Sequence, residues 1–394
     1  MSGLHIRSHY MKTRTTSFAV LLGSALLALS SPSAVAADGV SLLAPTAPDQ
    51  NSYGEVIGAS GIVLGESYVK QDCPISQWVD CLVEGYSKHQ PRSVWWPVQG
   101  GAPAVLPCLN KAASTATSWD KPCEALAINS RGVMVGRSYV SKSTFDVGVH
   151  PVLWLSPGSA PVDLSAQMQG LPAYLSARAV GINEQGWILG RAQIDKHLNE
   201  YAFLLRDGLA TLLPSAGALS VKARAINATI AVGDGQYEGG GQSGVIVWTL
   251  DGPTSTLRTV DGSENDVHAE AISSAGHVAG FYWAPASKQG NRAYIWYEGR
   301  AQALPTDNGY SSVAYGVNAA GTVVGSHCRT DQDIHGCRAV IWRNGVRQDL
   351  NVLATPPAGF TFVQAKAIND QDEITGWMVN AANAYRGFVL TLQP

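Results

Sequence analysis

The chain has 394 residues, with 27 Lys and Arg against 30 Asp and Glu, six cysteines and eleven tryptophans. Three of the basic residues, Arg7, Lys12 and Arg14, fall in an N-terminal segment, so residues 38–394 carry 24 basic against 30 acidic side chains, a net −6 that argues against a duplex nucleic-acid partner. Charged residues make up 14%, well under the roughly 25% usual in soluble domains, as befits sheets buried on both faces.

The N-terminus has the pattern of an export signal. A basic start at residues 11–14 precedes a twelve-residue apolar stretch, 18–29, and the small-residue cleavage site Ala34-Val35-Ala36. Met11 is an alternative start. The stretch is short for a membrane span and no comparable run follows. We therefore exclude residues 1–37 from the fold and expect 38–394 to be one exported domain, secreted or periplasmic, with no membrane span.

Along the rest of the chain a short hairpin signature recurs: an apolar residue, Asn, a turn often containing Gly, two or three apolar residues, then Gly. It runs from Ile128-Asn129 to Gly136, Ile182-Asn183 to Gly190, Ile226-Asn227 to Gly233, Ile272-Ser273 to Gly280, Val317-Asn318 to Gly325 and Ile368-Asn369 to Gly376, with a weaker first copy from Ile57-Gly58 to Gly65. A second apolar run ends each unit at positions 96, 154, 205, 248, 296, 342 and 390, usually in Trp. Their spacing, between 43 and 58 residues, is the length of a four-stranded propeller blade.

In each unit strand a ends at the Asn, strand b at the Gly and strand c near the Trp, and strand d is a short run such as Thr211-Leu212-Leu213-Pro214. Asn opens the a–b turn by capping its own backbone, and Gly at the fourth position takes the left-handed conformation. The recurring Trp96, Trp154, Trp248, Trp296 and Trp342 read as packing between blades. The seventh unit stops at strand c, while Gly39-Val40-Ser41-Leu42-Leu43-Ala44-Pro45 looks like a strand d. The expected fold is an all-β, seven-bladed propeller in which an N-terminal strand completes the last blade.

The hairpins and the strands Tyr201-Ala202-Phe203-Leu204-Leu205 and Arg338-Ala339-Val340-Ile341-Trp342 resemble the HAF-type probable extracellular repeat family of bacteria. The resemblance covers essentially the whole mature chain and implies a secreted repeat protein without an assigned activity. Where that family places a leading His, this chain keeps only His150 and has Arg92, Arg292, Arg338 and Arg386 in four units. Those arginines read as caps on loop carbonyls.

The cysteines fall in close pairs, Cys73 with Cys81, Cys108 with Cys123 and Cys328 with Cys337, and nearest-neighbour disulfides are expected in an oxidising compartment. A rival metal site would use His327, Cys328, His335 and Cys337. The acidic groups Asp331 with Asp333, and Asp370 with Asp372 and Glu373, lack calcium-loop spacing and read as solvated turns. No metal and no cofactor are expected.

In a four-stranded blade the b–c and d–a connections share one face. Here they are the long ones: 66–92, 137–150, 236–244, 281–292 and 326–338 between b and c, with 108–123, 165–176 and 351–362 between d and a. Long loops on a rigid scaffold are where binding usually resides. The expected contact residues on that face are Trp78, Asp80, Tyr86, His89, Trp119, Asp120, Tyr282 and Trp283, aromatic rings beside polar groups that suit a sugar or a peptide. No nucleophile elbow, zinc-protease helix, phosphate loop or sialidase-type Asp box occurs. The primary expectation is a binding or interaction scaffold for a glycan, peptide or surface partner, more a binder than an enzyme. The alternative is a polysaccharide-active lyase or hydrolase, with His89, His150, His197, His268 and His327 converging in space.

Overall fold

A computed structural model describes residues 39–47, 50–70, 89–97, 101–109, 123–141, 147–195, 197, 199–238, 243–260, 266–284 and 290–392. The fold is a seven-bladed β-propeller made of seven four-stranded antiparallel sheets. Val40–Leu43 (β1) precedes the blades. Blade 1 is Ser52–Ile57 (β2), Val63–Lys70 (β3), His89–Trp96 (β4) and Ala104–Val105 (β5); blade 2 is Cys123–Ile128 (β6), Met134–Ser141 (β7), Val147–Trp154 (β8) and Val162–Asp163 (β9). Blade 3 is Ser176–Ile182 (β10), Ile188–Gln193 (β11), Glu200–Arg206 (β12) and Leu209–Leu212 (β13); blade 4 is Ser220–Ile226 (β14), Ile230–Gln236 (β15), Ser243–Thr249 (β16) and Thr254–Leu257 (β17). Blade 5 is Val267–Ile272 (β18), Val278–Trp283 (β19), Asn291–Tyr297 (β20) and Arg300–Ala303 (β21); blade 6 is Tyr310–Val317 (β22), Val323–Arg329 (β23), Cys337–Arg343 (β24) and Val346–Asp349 (β25). Blade 7 has Phe360–Ile368 (β26), Glu373–Asn380 (β27) and Tyr385–Thr391 (β28), and its fourth strand is β1, which lies antiparallel to β28 with Val40 opposite Leu390 and Leu43 opposite Gly387.

Three sequence features acquire physical causes. In the a–b turns Asn129, Asn183 and Asn318 accept backbone N–H bonds through Oδ1, and Gly132, Gly186 and Gly321 have φ between 74° and 86°. The same asparagines also reach the next blade, because the Nδ2 amides of Asn129, Asn183 and Asn227 donate to the carbonyls of Asn183, Asn227 and Ser273. Asn318 and Asn369 donate likewise to Asn369 and Gly58. A turn residue is thus also an inter-blade clasp.

The strand-c tryptophans Trp96, Trp154, Trp248 and Trp342 are at most 1% exposed. Each donates its indole N–H to a carbonyl just beyond strand d of the preceding blade, namely Ala44, Pro107, Pro214 and Pro305. The burial supplies apolar stabilisation while the one polar atom stays satisfied. Trp296 departs from this pattern: it is only partly buried against the cluster around Tyr294.

The strand-b glycine recurs because there is no room for a side chain. A Cβ on Gly65, Gly136, Gly280, Gly325 or Gly376 would lie 1.8–2.0 Å from a carbonyl oxygen of strand a in the same blade.

Two expected loops are shorter than the sequence suggests. Residues 137–150 are mostly the paired strands β7 and β8, and 326–338 contain the ends of β23 and β24 with a 3-10 turn between them, since ladder pairing continues past the apolar run. The disulfides Cys108–Cys123 and Cys328–Cys337 are formed, the second across paired strands, which removes the thiolates that the rival metal site requires. Cys73 and Cys81 lie outside the described residues. No helix among the described residues is long and apolar enough to cross a membrane.

Candidate functional site

Every strand a carries a β-bulge at the same place, two residues before its end. The register skips between Gly54 and Val56, Ala125 and Ala127, Ala179 and Gly181, Ala223 and Ala225, Ala269 and Ala271, Ala314 and Gly316, and Ala365 and Ala367. The extra residue is left out of the ladder and re-aimed. These seven residues, Glu55, Leu126, Val180, Arg224, Glu270, Tyr315 and Lys366, all line one cavity of about 510 Å³ on the propeller axis. Next to them, toward the Asn turns, Ile128, Ile182, Ile226, Ile272, Val317 and Ile368 form an apolar ring; Glu66, Ser93, Glu124 and Arg191 complete the polar wall.

The wall is chemically divided. Blades 2 and 3 present Leu126 and Val180, while blades 4, 5, 6, 7 and 1 present Arg224, Glu270, Tyr315, Lys366 and Glu55 in turn. Arg224 is held by Asp234, Nη2 to Oδ2 at 2.7 Å. Burial of Asp234 opposes its ionisation, but the hydrogen bond to His268, the Arg224 charge and the Ala269 N–H together bring its pKa below the ordinary value. Lys366 Nζ lies 3.5 Å from Glu55 and 4.3 Å from the Tyr315 ring centre. Burial is the largest influence and works against its charge, but Glu55, Tyr315 and Glu270 together outweigh it, so its pKa is raised. Arg191 meets Glu200 at 3.3 Å, its pKa is lowered to about 10 by burial, and its Nε has no hydrogen-bond partner among the described residues. Glu270 is the exception on this wall: its nearest cation is Arg224 at 4.0 Å, and burial raises its pKa.

Of the expected contact residues, the two that fall among the described ones, Tyr282 and Trp283, do not line this cavity. Trp78, Asp80, Tyr86, Trp119 and Asp120 lie outside the described residues, as does the side chain of His89. Tyr282 is 3% exposed, packed among Val267, Val278 and Tyr294, because its position in β19 faces the core; it is not a surface contact. Its neighbour Trp283 points the other way and is 48% exposed. The described histidines are dispersed. His327 is buried, stacked on Tyr310 and bonded to Arg347; His268 stacks on Phe281 beside Asp234. His150 meets both Asp163 and Ser165 through the same nitrogen, Nδ1, so the trio lacks the relay of a nucleophile and its base on opposite ring nitrogens.

The remaining polar candidates have structural partners. Arg292 and Arg386 cap the carbonyls of Tyr310 and Gln50 at the edge of the following blade, and Arg338 caps His335. Asp331 pairs with Arg329, Asp333 caps a 3-10 turn, Asp370 accepts from Ala319 and Ser274, and Asp372 meets Arg343. No cluster of metal-ligating side chains occurs among the described residues.

The cavity residues were missed by a reading centred on loops. Their signal was available: aligning the repeats at Ile-Asn shows Glu55, Arg224, Glu270, Tyr315 and Lys366 two places before the closing Ile or Val, where the other two units have Leu126 and Val180.

No family model matches the chain, and no curated protein matches it. Solved structures share the fold. The β-propeller domain of the trilobed protease from Pyrococcus furiosus aligns with 9% identity and a TM-score of 0.53, over 86% of this chain and 93% of that one. Acylaminoacyl peptidase from Pyrococcus horikoshii aligns with 9% identity and a TM-score of 0.52, over 86% of this chain and 51% of the peptidase. A puromycin-hydrolysing peptidase from Mycobacterium tuberculosis gives 11%, 0.50, 87% and 54%. This chain spans about half the length of those two peptidases.

Proposed function

We propose that this protein is an exported, HAF-type propeller that binds a polar partner, a glycan or a peptide, in its axial cavity from the side of the long b–c and d–a connections. The observation that carries the reading is the repeated bulge, which turns seven equivalent residues toward one axial space and makes five of them polar. A concave, solvent-open volume with an apolar arc and a few oriented polar groups is a usual form of a small-ligand site. Trp283 supplies an exposed ring at the end of β19 on the same side. Two disulfides agree with an oxidising compartment. The polysaccharide-active alternative has less support, since the described histidines do not gather at the cavity.

A glycan and peptide array probed with the wild type, Leu126→Trp and Trp283→Ala tests the reading. Leu126→Trp fills the cavity without touching an ion pair and is expected to weaken binding at least tenfold, and Trp283→Ala by about 1 to 3 kcal/mol if the ring is an anchor. Binding that survives Leu126→Trp and is lost on Arg131→Ala, in an a–b turn, would place the site on the opposite face.

A further inference from the structure

The cavity wall holds charges of both signs, and they differ in what they are already bound to. Arg224 is committed to Asp234 at 2.7 Å, Lys366 to Glu55 at 3.5 Å and Arg191 to Glu200 at 3.3 Å. Glu124 is likewise taken by Arg137 at 2.9 Å. An incoming anion would have to compete with a resident carboxylate at Arg224 and Lys366, and at Arg191 it would find only the Nε hydrogen still unpartnered among the described residues. Glu270 stands apart. Its carboxylate accepts no hydrogen bond among the described residues, its one ion-pair contact is Arg224 at 4.0 Å, and it projects from a bulge into the cavity. Across the same space lie Leu126 and Val180.

Resting on the cavity reading above and narrowing its partner to the peptide, we propose that the group entering the cavity is a primary amine on an apolar body, such as a peptide's amino-terminal residue, whose ammonium pairs with Glu270 and whose hydrocarbon part lies against Leu126 and Val180. The partly desolvated carboxylate gains a charge-assisted hydrogen bond that nothing else in the described cavity provides. Arg224 and Lys366 stay with their own carboxylates, Asp234 and Glu55. Burial raises the pKa of Glu270, while Arg224 and Lys366 oppose that rise and Asp234 adds to it. A ligand ammonium would therefore relieve an unfavourable environment.

The test is calorimetric titration of the full chain with three probes of one shape: phenethylamine, 2-phenylethanol and phenylacetate. The amine is expected to bind at least tenfold more tightly than the other two. Glu270→Gln, with an unchanged melting temperature, is expected to remove that preference. Equal affinity for the three probes, preference for phenylacetate, no heat with the amine, or an unchanged amine affinity in Glu270→Gln each overturns the inference. The array result separates the two levels: if Leu126→Trp abolishes partner binding but the amine is not preferred, the cavity reading stands and this inference falls. If Leu126→Trp leaves partner binding intact, the cavity reading itself falls.

Discussion

Gly280 lies in the body of β19, where a methyl group would sit 2.0 Å from the carbonyl oxygen of His268. The glycine is required by close backbone approach rather than by a turn, and Gly280→Ala is expected to cost about 3 kcal/mol through overpacking, read from the denaturation midpoint. Trp248 is 1% exposed with its N–H on Pro214, so Trp248→Ala is expected to cost about 3 to 5 kcal/mol. Trp296→Ala should cost clearly less, because Trp296 is only partly buried; equal losses would contradict the packing described. His327 illustrates a proton-linked residue. Burial and the neighbouring Arg347 push its pKa from the usual 6.5 down to about 4. The folded state therefore binds fewer protons than the unfolded one between those values, and the stability it contributes is present above pH 6.5 and lost as pH falls toward 4. Urea unfolding at pH 7.5 and 4.5 should show an acid loss on the order of 3 kcal/mol in the wild type that is largely absent in His327→Gln.

At the level of elements, the a–b turns form a chain of amide-to-carbonyl links from blade to blade that is interrupted where Gly58 and Ser273 replace Asn. Neither replacement can donate a side-chain amide to the next turn. Asn183→Asp keeps the turn acceptor but loses the donor to Asn227, so a loss of about 1 to 3 kcal/mol is expected. Conversely, Ser273→Asn should restore the missing link to blade 6 and raise stability by about 1 kcal/mol. A neutral Asn183→Asp would mean the links are incidental. The strand-a bulges belong to the same scale. They spoil one ladder position per blade, with a second in β26 between Phe362 and Gln364, and they are also what turns the axial residues inward.

For the whole molecule, β1 and β28 belong to one sheet, and Trp96 of blade 1 also bonds to Ala44 just beyond β1. Deleting residues 38–45 removes both contacts and bares an edge. The melting temperature should fall markedly, and an unchanged value would show that the β1 strand is dispensable. The seven-blade count was legible because each blade must spend the same residues on the same tasks, Asn at the turn, Gly at the close approach and an aromatic or leucine at the packing position. Tyr282 and Trp283 show the limit. They are adjacent in a strand, so one must face the core, and alternation alone does not say which without the register to β18 and β20.

What the chain's own residues determined is therefore the architecture: seven hairpin units, their strand order and the oxidised pairs Cys108–Cys123 and Cys328–Cys337, all of which rest on local turn chemistry, periodicity and short sequence separation. What only the tertiary structure decided is the site. Glu55, Arg224, Glu270, Tyr315 and Lys366 are spread over more than three hundred residues and meet only because seven bulges at one level turn them toward a common axis. Their ion pairs, and the isolation of Glu270 among them, depend on distances across blades that no local pattern encodes.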